Sequence, residues 1–189
     1  MVWSEGMAWL NPPPVAQNLP NGILRVVTAD QTDFWQRTFY RFVHDNGHAL
    51  LQPAPEEFSA EVSFSADYAA QYDQAGLMIR ADSEHWIKAG IEYVGGKAHL
   101  AMVVTNGASD WSQMPLNGFT GVLGLRMTRM GDAVWMQYRL QEAWQMFRLA
   151  YFPPLALRAG PMCCSPSRAG LEVKFWDMTI GPPVSRQPY

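Results

Sequence analysis

Apolar and polar residues alternate with little interruption from Gln74 to Thr105. Alternation with a period of two predicts β-strands that bury one face of a sheet. Within this stretch, Gly95-Gly96 is the signal of a two-residue hairpin turn. This turn fixes the pairing of its two strands and sets Glu92 directly opposite His99.

A second turn at Asp82-Ser83-Glu84 predicts a third strand, with Arg80 opposite Trp86 and Gly76 opposite Gly90. One face is then apolar and is expected to pack in a core: Leu77, Ile79, Ile87, Ala89, Ile91, Tyr93, Leu100, Met102 and Val104. The other face is expected to meet water or a ligand: Gln74, Gly76, Met78, Arg80, Trp86, Lys88, Gly90, Glu92, His99, Ala101, Val103 and Thr105. Truncation of Ile91 should therefore destabilise the fold far more than truncation of a solvent-facing Lys88.

Short apolar segments, separated by Gly, Asn and Pro turns, continue along the whole chain. Candidate strands are Met7–Leu10, Ile23–Thr28, Phe39–Val43, His48–Gln52, Phe58–Ser65, Gln74–Ala81, His85–Tyr93, Lys97–Thr105, Trp111–Pro115, Val122–Met130, Ala133–Leu140, Trp144–Ala150, Arg158–Cys164 and Leu171–Ile180. The pattern predicts an all-β chain, one domain over residues 1–189, built as a sandwich or jelly roll. Arg139–Tyr151 fits a strand or an amphipathic helix, and its β neighbours favour a strand. A change of apolar parity predicts a bulge near Trp176-Asp177.

Composition narrows the functional classes. The 189 residues are 48% hydrophobic and 16% charged, which excludes a disordered chain. The net charge is -3 and no basic stripe is present, so no nucleic-acid partner is expected. No apolar run reaches membrane-spanning length, and the first residues lack the pattern of a signal peptide, so no membrane association is expected.

Cys163 and Cys164 are the two cysteines, and they are adjacent in the chain. A disulfide between neighbours is strained, so two small residues, one of them buried, are expected, with a redox switch as the alternative. The low cysteine content predicts a reducing compartment and hence a cytoplasmic protein. No zinc-type spacing is present, and neither a metal nor another cofactor is predicted.

Five blocks in order resemble a known family over nearly the whole chain: Thr32–Gln36 with Asp45–His48, Gln74–Arg80, Trp86–Glu92, Asp110–Leu116 and Cys164–Phe175. That family is a domain of unknown function named after a yeast regulation-of-enolase protein. It is similar to the concanavalin A-like lectin/glucanase superfamily. The resemblance implies a jelly-roll sandwich of two antiparallel sheets and a cytoplasmic setting, and it implies no activity. This sequence departs from the family pattern at Cys163 and at Gln141–Ala143, where a tight turn is usual.

Gly76, Gly90 and Ala101 lie in a row on the polar face, which predicts a shallow trough. Trp86 beside Arg80 fits a platform for a sugar ring, or else a packed cation–π pair. The ligand-binding residues predicted around this trough are Arg80, Trp86, Lys88, Glu92, His99 and Trp111. The alternative for Glu92 is a polar cluster with Lys88 and His99.

Three functions fit these features. The favoured one is a lectin-like binding module for a carbohydrate or polar metabolite. The second is a glycoside-active enzyme, which needs two carboxyl groups. Glu92 would supply the first, and Glu61 the second if its strand adjoins the same face. The third is a protein–protein regulator of metabolism with exposed Trp side chains as contacts, and a homo-oligomer remains open.

Overall fold

A computed structural model describes Trp3, residues 6–119 and residues 121–188. Its regular elements are sixteen strands and a short 3-10 helix, Pro20–Gly22. The strands in chain order are β1 Ala8–Leu10, β2 Val15–Leu19, β3 Ile23–Val27, β4 Phe34–Gln36, β5 Val43–Asp45, β6 His48–Pro53, β7 Phe58–Ala66, β8 Gln74–Arg80, β9 His85–Val94, β10 Lys97–Asn106, β11 Ala108–Pro115, β12 Leu123–Met130, β13 Ala133–Arg139, β14 Gln145–Tyr151, β15 Arg158–Cys164 and β16 Glu172–Gly181. The protein is all-β, as predicted.

Fourteen of the strands form two antiparallel sheets of seven that pack as a sandwich. The front sheet has the order β1-β6-β15-β8-β9-β10-β11, and the back sheet has the order β14-β13-β12-β7-β16-β3-β2. The remaining strands, β4 and β5, pair with each other as a separate hairpin. The main core lies between the two large sheets.

The register predicted for β8, β9 and β10 is confirmed. Glu92 pairs with His99, Arg80 with Trp86 and Gly76 with Gly90. The predicted core face is buried between the sheets, apart from Tyr93 at the strand end, which is half-buried. The turn at Gly95-Gly96 sets the pairing of β9 with β10 locally, because a two-residue turn is compatible with only one register of its strands.

Two other predictions are confirmed. Gln145–Tyr151 is a strand, because it pairs along β13 at the edge of the back sheet. The bulge in β16 interrupts its pairing with β7 between Trp176 and Thr179, and Asp177 there has a positive φ of 54°.

The prediction of a strand over Phe39–Val43 is wrong. These residues form most of the tip of the β4–β5 hairpin, and only Val43 belongs to a strand. Phe39 and Arg41 have positive φ angles of 60°, which no regular strand contains. The apolar alternation here places aromatic rings around a cavity. Strand β2 was not predicted because its sequence lacks a regular apolar alternation.

Candidate ligand-binding site

The outer face of the front sheet is covered by the chain segment between β3 and β6. Phe34 and Trp35 of this segment pack against Trp86, Val103 and other side chains of the sheet in a second apolar cluster. Phe34 is fully buried there. The face predicted to meet water is therefore largely an interior surface.

Two ion pairs fasten the covering segment to the sheet. Nζ of Lys88 lies 2.9 Å from Oδ1 of Asp33. The guanidinium of Arg80 donates two hydrogen bonds to the carboxylate of Asp45, at 2.6 and 2.8 Å. Such a two-pronged contact fixes the orientation of both groups. The segment is thus held at both ends of the hairpin.

Trp86 and Arg80 do not form an exposed sugar platform, and this prediction is corrected. Trp86 has no exposed surface, donates its indole N–H to the carbonyl of Ser83 at 3.1 Å and packs against Phe34. Arg80 is 8% exposed, and its guanidinium is already hydrogen-bonded to Asp45. Both are structural residues of the covered face, because the hairpin lies over them.

The predicted trough is also absent as a ligand site. At Gly76 and Gly90 the strands β8 and β9 approach so closely that a Cβ atom at either position would collide with the opposite backbone. The remaining space beside Gly90 and Ala101 is about 10 Å³, enough for one water molecule at most. Gly76 and Gly90 allow the two strands to approach closely and do not create space for a ligand.

A larger cavity of about 330 Å³ opens between the covering segment and the front sheet. Three of the predicted site residues line it: Lys88, Glu92 and Trp111. We call it the aromatic cavity, because its walls also include Trp35, Tyr40, Phe42 and Tyr72. Asp33, Gln74 and His44 add polar groups. Aromatic walls around a few fixed polar groups are typical of small-molecule sites.

Lys88 lies on the floor of the aromatic cavity and is 4% exposed, so the prediction of a solvent-facing lysine is wrong. Burial by itself would lower the pKa of Lys88, but the surrounding acidic groups, Asp33 foremost, together outweigh it and the pKa is raised. Lys88 is therefore a charged ammonium with its charge balanced by Asp33.

Glu92 lies on the same floor and is 8% exposed. Burial, with a smaller contribution from the charge of Asp33, raises the pKa of its carboxyl to about 7 against the opposing charge of Lys88. The indole N–H of Trp111 lies close to this carboxyl and lowers its pKa, although the contact falls outside normal hydrogen-bond geometry. Glu92 is thus a buried acid whose neighbouring N–H donor is not well placed to bond to it.

The indole N–H of Trp111 is an unpartnered polar group of the cavity. Its Nε1 is shielded from solvent and has no hydrogen-bond acceptor within the described part of the chain. Its ring meets Trp35 edge-on at a centroid distance of 6.5 Å. A buried N–H without an acceptor is costly, and it is common where a ligand or water completes the site.

His99 and Glu61 do not join this site. His99 is opposite Glu92 in the ladder, but its ring is half-buried, approaches the carbonyl of Lys97 at 3.1 Å and does not line the aromatic cavity. Glu61 lies in β7 of the back sheet, where its carboxylate accepts a hydrogen bond from Arg126 at 2.7 Å. The expectation that Glu61 shares the face of Glu92 is wrong, because β7 and β9 belong to different sheets.

Sequence reasoning missed Asp33 and the aromatic residues of the covering segment. Asp33 belongs to the Thr32–Gln36 block, so its presence in that block was the available signal. Tyr40 and Phe42 were assigned to a strand, and Tyr72 lies in the loop before β8. Their convergence depends on contacts across distant segments, which alternation within one segment does not report.

A second depression of about 520 Å³ lies beside the end of β9 and β10. Tyr68, Tyr93 and Phe119 contribute apolar surface, and its charged groups, Asp67 and Lys97, are exposed. It has no buried charged group comparable to Glu92. Across residue 3 and residues 6–119 and 121–188, no cluster of three or more His, Cys, Asp or Glu side chains has an arrangement suited to a metal ion.

Residues 9–183 match the family described as "Protein of unknown function (DUF1349)". The chain belongs to the DUF1349 family. A DUF1349 relative from Saccharomyces cerevisiae, Regulation of enolase protein 1, is 40% identical over 186 residues, which is 97% of this chain and 92% of the relative.

The DUF1349 fold is also found in solved structures. A crystal structure of a functionally unknown protein from Saccharomyces cerevisiae has a TM-score of 0.92 and 37% identity, and covers 98% of this chain and 100% of that one. A bifunctional GH43-CE protein of Bacteroides eggerthii has a TM-score of 0.73 at 17% identity. The match covers 95% of this chain but 24% of the larger protein, and it shows a shared β-sandwich fold.

For this DUF1349 chain, the described residues contain no helix that combines the length and apolar character needed to cross a membrane.

Proposed function

We propose that this protein is a lectin-like binding module that takes a carbohydrate or a similarly polar metabolite in the aromatic cavity. One observation carries the proposal: the Glu92 carboxyl is buried at the cavity, and the neighbouring indole N–H of Trp111 is buried there without a well-placed hydrogen-bond acceptor. A ligand hydroxyl can accept a hydrogen bond from the indole and can also bond to the carboxyl. Such a ligand would give both groups a hydrogen-bonding partner.

The walls support the same class of ligand. Trp35 and Trp111 present aromatic surface, and Lys88 with Asp33 presents a polar floor of balanced charge. A sugar ring offers apolar C–H faces for stacking and hydroxyls for hydrogen bonding at once. The volume of about 330 Å³ falls in the range of small-molecule sites.

The test is a binding screen on a glycan array and a metabolite panel with wild type, Trp111→Phe and Glu92→Gln. Trp111→Phe keeps the aromatic wall and removes the N–H. Each variant should weaken binding by about tenfold or more, because a hydrogen bond made in a buried site is lost.

Two matched variants serve as controls. Trp144→Phe and Glu61→Gln make the same chemical changes at the back sheet, where Trp144 stacks on Arg126 and Glu61 accepts its hydrogen bond. Both should bind as wild type does. Equal binding by the cavity variants and the controls would remove the aromatic cavity from consideration.

A regulatory setting for this binding is supported by the relative named Regulation of enolase protein 1, which is 40% identical over 97% of this chain. A cytoplasmic location is proposed on the free thiols of Cys163 and Cys164, which are both buried. Enolase levels should change when the protein is deleted from its own cells, and wild type but not Glu92→Gln should restore them. Full restoration by Glu92→Gln would separate regulation from the aromatic cavity.

A glycoside-active enzyme is the second candidate, and a specific observation favours it. Asp33 and Glu92 both face the aromatic cavity, and the pKa of Glu92 is about 7, which suits a general acid. Asp33 thereby takes the place expected of Glu61. Hydrolysis of a glycoside by wild type that disappears in both Glu92→Gln and Asp33→Asn would establish this function in place of simple binding.

A further inference from the structure

The tip of the β4–β5 hairpin, residues 37–42, differs sharply from its base. The base is buried: Phe34 has no exposed surface and Trp35 is 9% exposed. In the tip, Phe39 is 88% exposed, Tyr40 47% and Phe42 42%. The tip therefore has few buried side chains and is tied to the front sheet through Arg37, whose guanidinium donates to Glu84 and to the carbonyl of Gly107. Ion pairs at Asp33 and Asp45 hold the base.

The backbone of the tip is strained. Arg37, Phe39 and Arg41 have positive φ angles of 58°, 60° and 60°, although none is glycine. Residues in this region cost energy and persist where the surrounding structure requires them. The amide hydrogen bonds of the tip run within the hairpin, from Arg37 to Phe42 and from Arg41 to Arg37. Strained segments with exposed side chains are commonly among the least stable parts of a fold.

The tip nevertheless supplies part of the cavity wall. Tyr40 and Phe42 line the aromatic cavity, and their rings stack at 5.2 Å with an interplanar angle of 14°. Tyr40 also meets Trp35 edge-on at 5.8 Å. The hydroxyl of Tyr40 also lies close to Tyr72 of the cavity wall, and the charge of Tyr72 together with burial raises the pKa of Tyr40.

We propose that the hairpin tip is a clamp: it opens to admit an uncharged pyranose ring, and Tyr40 and Phe42 then close against that ring. The inference rests on the proposed binding function. An uncharged ring is favoured because Lys88 and Asp33 balance each other, so neither an anion nor a cation finds a free counter-charge in that pair.

The test compares wild type with Tyr40→Ala/Phe42→Ala in binding to neutral methyl pyranosides, namely the glucoside, galactoside, mannoside and xyloside. The double variant should bind the preferred glycoside at least tenfold more weakly, with most of the change in the dissociation rate. Phe39→Ala is the matched control, because Phe39 lies in the same tip, is the most exposed of its aromatic residues and does not line the cavity.

Hydrogen exchange gives an independent measurement of how readily the hairpin tip opens. The amides of Arg37 and Arg41 should exchange faster than that of Gln36, which is bonded to Ser109, and should slow when the preferred glycoside is bound. Equal affinity and dissociation rate in wild type and the double variant would overturn the clamp and leave the binding function standing. Failure of wild type to bind any of the four glycosides, while other ligands bind the cavity, would overturn the pyranose assignment. Absence of any ligand would overturn the binding function and the clamp together.

Discussion

The ammonium group of Lys88 lies 2.9 Å from Oδ1 of Asp33, although 55 positions separate the two residues in the chain. Lys88 belongs to the front sheet, and Asp33 immediately precedes β4 of the covering segment. The pair therefore does two things at once. It fastens the covering segment to the sheet, and it sets the charge of the cavity floor.

Lys88→Met should lower the free energy of unfolding by about 3 kcal/mol, because it removes one partner of a buried ion pair and leaves the other uncompensated. That loss is comparable to the roughly 2–5 kcal/mol expected for Ile91→Ala in the main core. Urea denaturation of wild type, Lys88→Met and Ile91→Ala measures both losses of unfolding free energy. The result would reverse the expectation, based on alternation alone, that truncation of Lys88 is cheap.

The control for this prediction is a double-mutant cycle with Asp33→Asn. If the pair is the source of the loss, the double variant should be about 1–3 kcal/mol more stable than the sum of the single losses predicts. Strict additivity of the two losses would contradict a direct coupling between Lys88 and Asp33.

Glu92→Gln should stabilise the protein at alkaline pH. The pKa of Glu92 is raised from 4.5 to about 7 in the folded state, so the folded protein binds a proton more tightly than the unfolded chain. Its contribution is favourable below pH 4.5 and is lost as pH rises through 7, by about 3 kcal/mol in all. At pH 8 the glutamine, which stays neutral, avoids this loss.

Unfolding free energies of wild type and Glu92→Gln between pH 4.5 and pH 8.5 test the assignment. The difference between the two proteins should grow in favour of the variant as pH rises. Parallel curves would mean that the Glu92 carboxyl is not desolvated. A gain in stability on replacing a cavity acid is also the usual sign of a functional group kept at a structural cost.

The register of β8, β9 and β10 could be predicted from the sequence because it depends on local information. A two-residue turn fixes the pairing, and strict alternation then assigns every side chain to a face. Glu92 and His99 lie opposite each other for this reason. Lys88 and Glu92 can be assigned to one face from the sequence because they lie four residues apart on the same alternating strand.

Whether that outer face is exposed to solvent or covered by another segment could not be predicted in the same way. Alternation separates two faces, but it does not say what lies on the polar one. Trp86 and Arg80 became buried because β4 packs over them from a distant part of the chain. The same packing of distant segments brings Asp33 to Lys88. The position of Glu61 depends on which sheet contains its strand, and hydrophobic periodicity does not encode strand order.

Asp73→Asn should lower the free energy of unfolding by about 2 kcal/mol at pH 7. Asp73 is fully buried and accepts hydrogen bonds from Arg168, Ser165 and the backbone of Ala70. Burial alone would raise the pKa of Asp73, but these bonds outweigh it and the pKa is lowered. The stabilisation is therefore present above the unfolded pKa and is lost as pH falls through the lower folded value.

Denaturation of wild type and Asp73→Asn at pH 7 and pH 3 checks the sign, and the gap should narrow at the lower pH. Asp67→Asn is the matched control, since Asp67 is an exposed carboxylate in the same loop. A gap that stays constant with pH would assign the loss to altered packing rather than to the charge of Asp73.

Gly90→Ala should destabilise the protein by at least about 3 kcal/mol, because the added methyl group has no space. A Cβ at Gly90 would lie 2.8 Å from the Cα of Gly76 and closer still to the carbonyl oxygen of Ala75. The two strands would have to separate beside Glu92, so cavity binding should weaken along with stability. Gly181→Ala is the matched control, since Gly181 is also a strand glycine and no atom lies within 4 Å of the place its added methyl group would take. Unfolding curves that shift equally for the two variants would show that the close approach of β8 and β9 is not what requires glycine at this position.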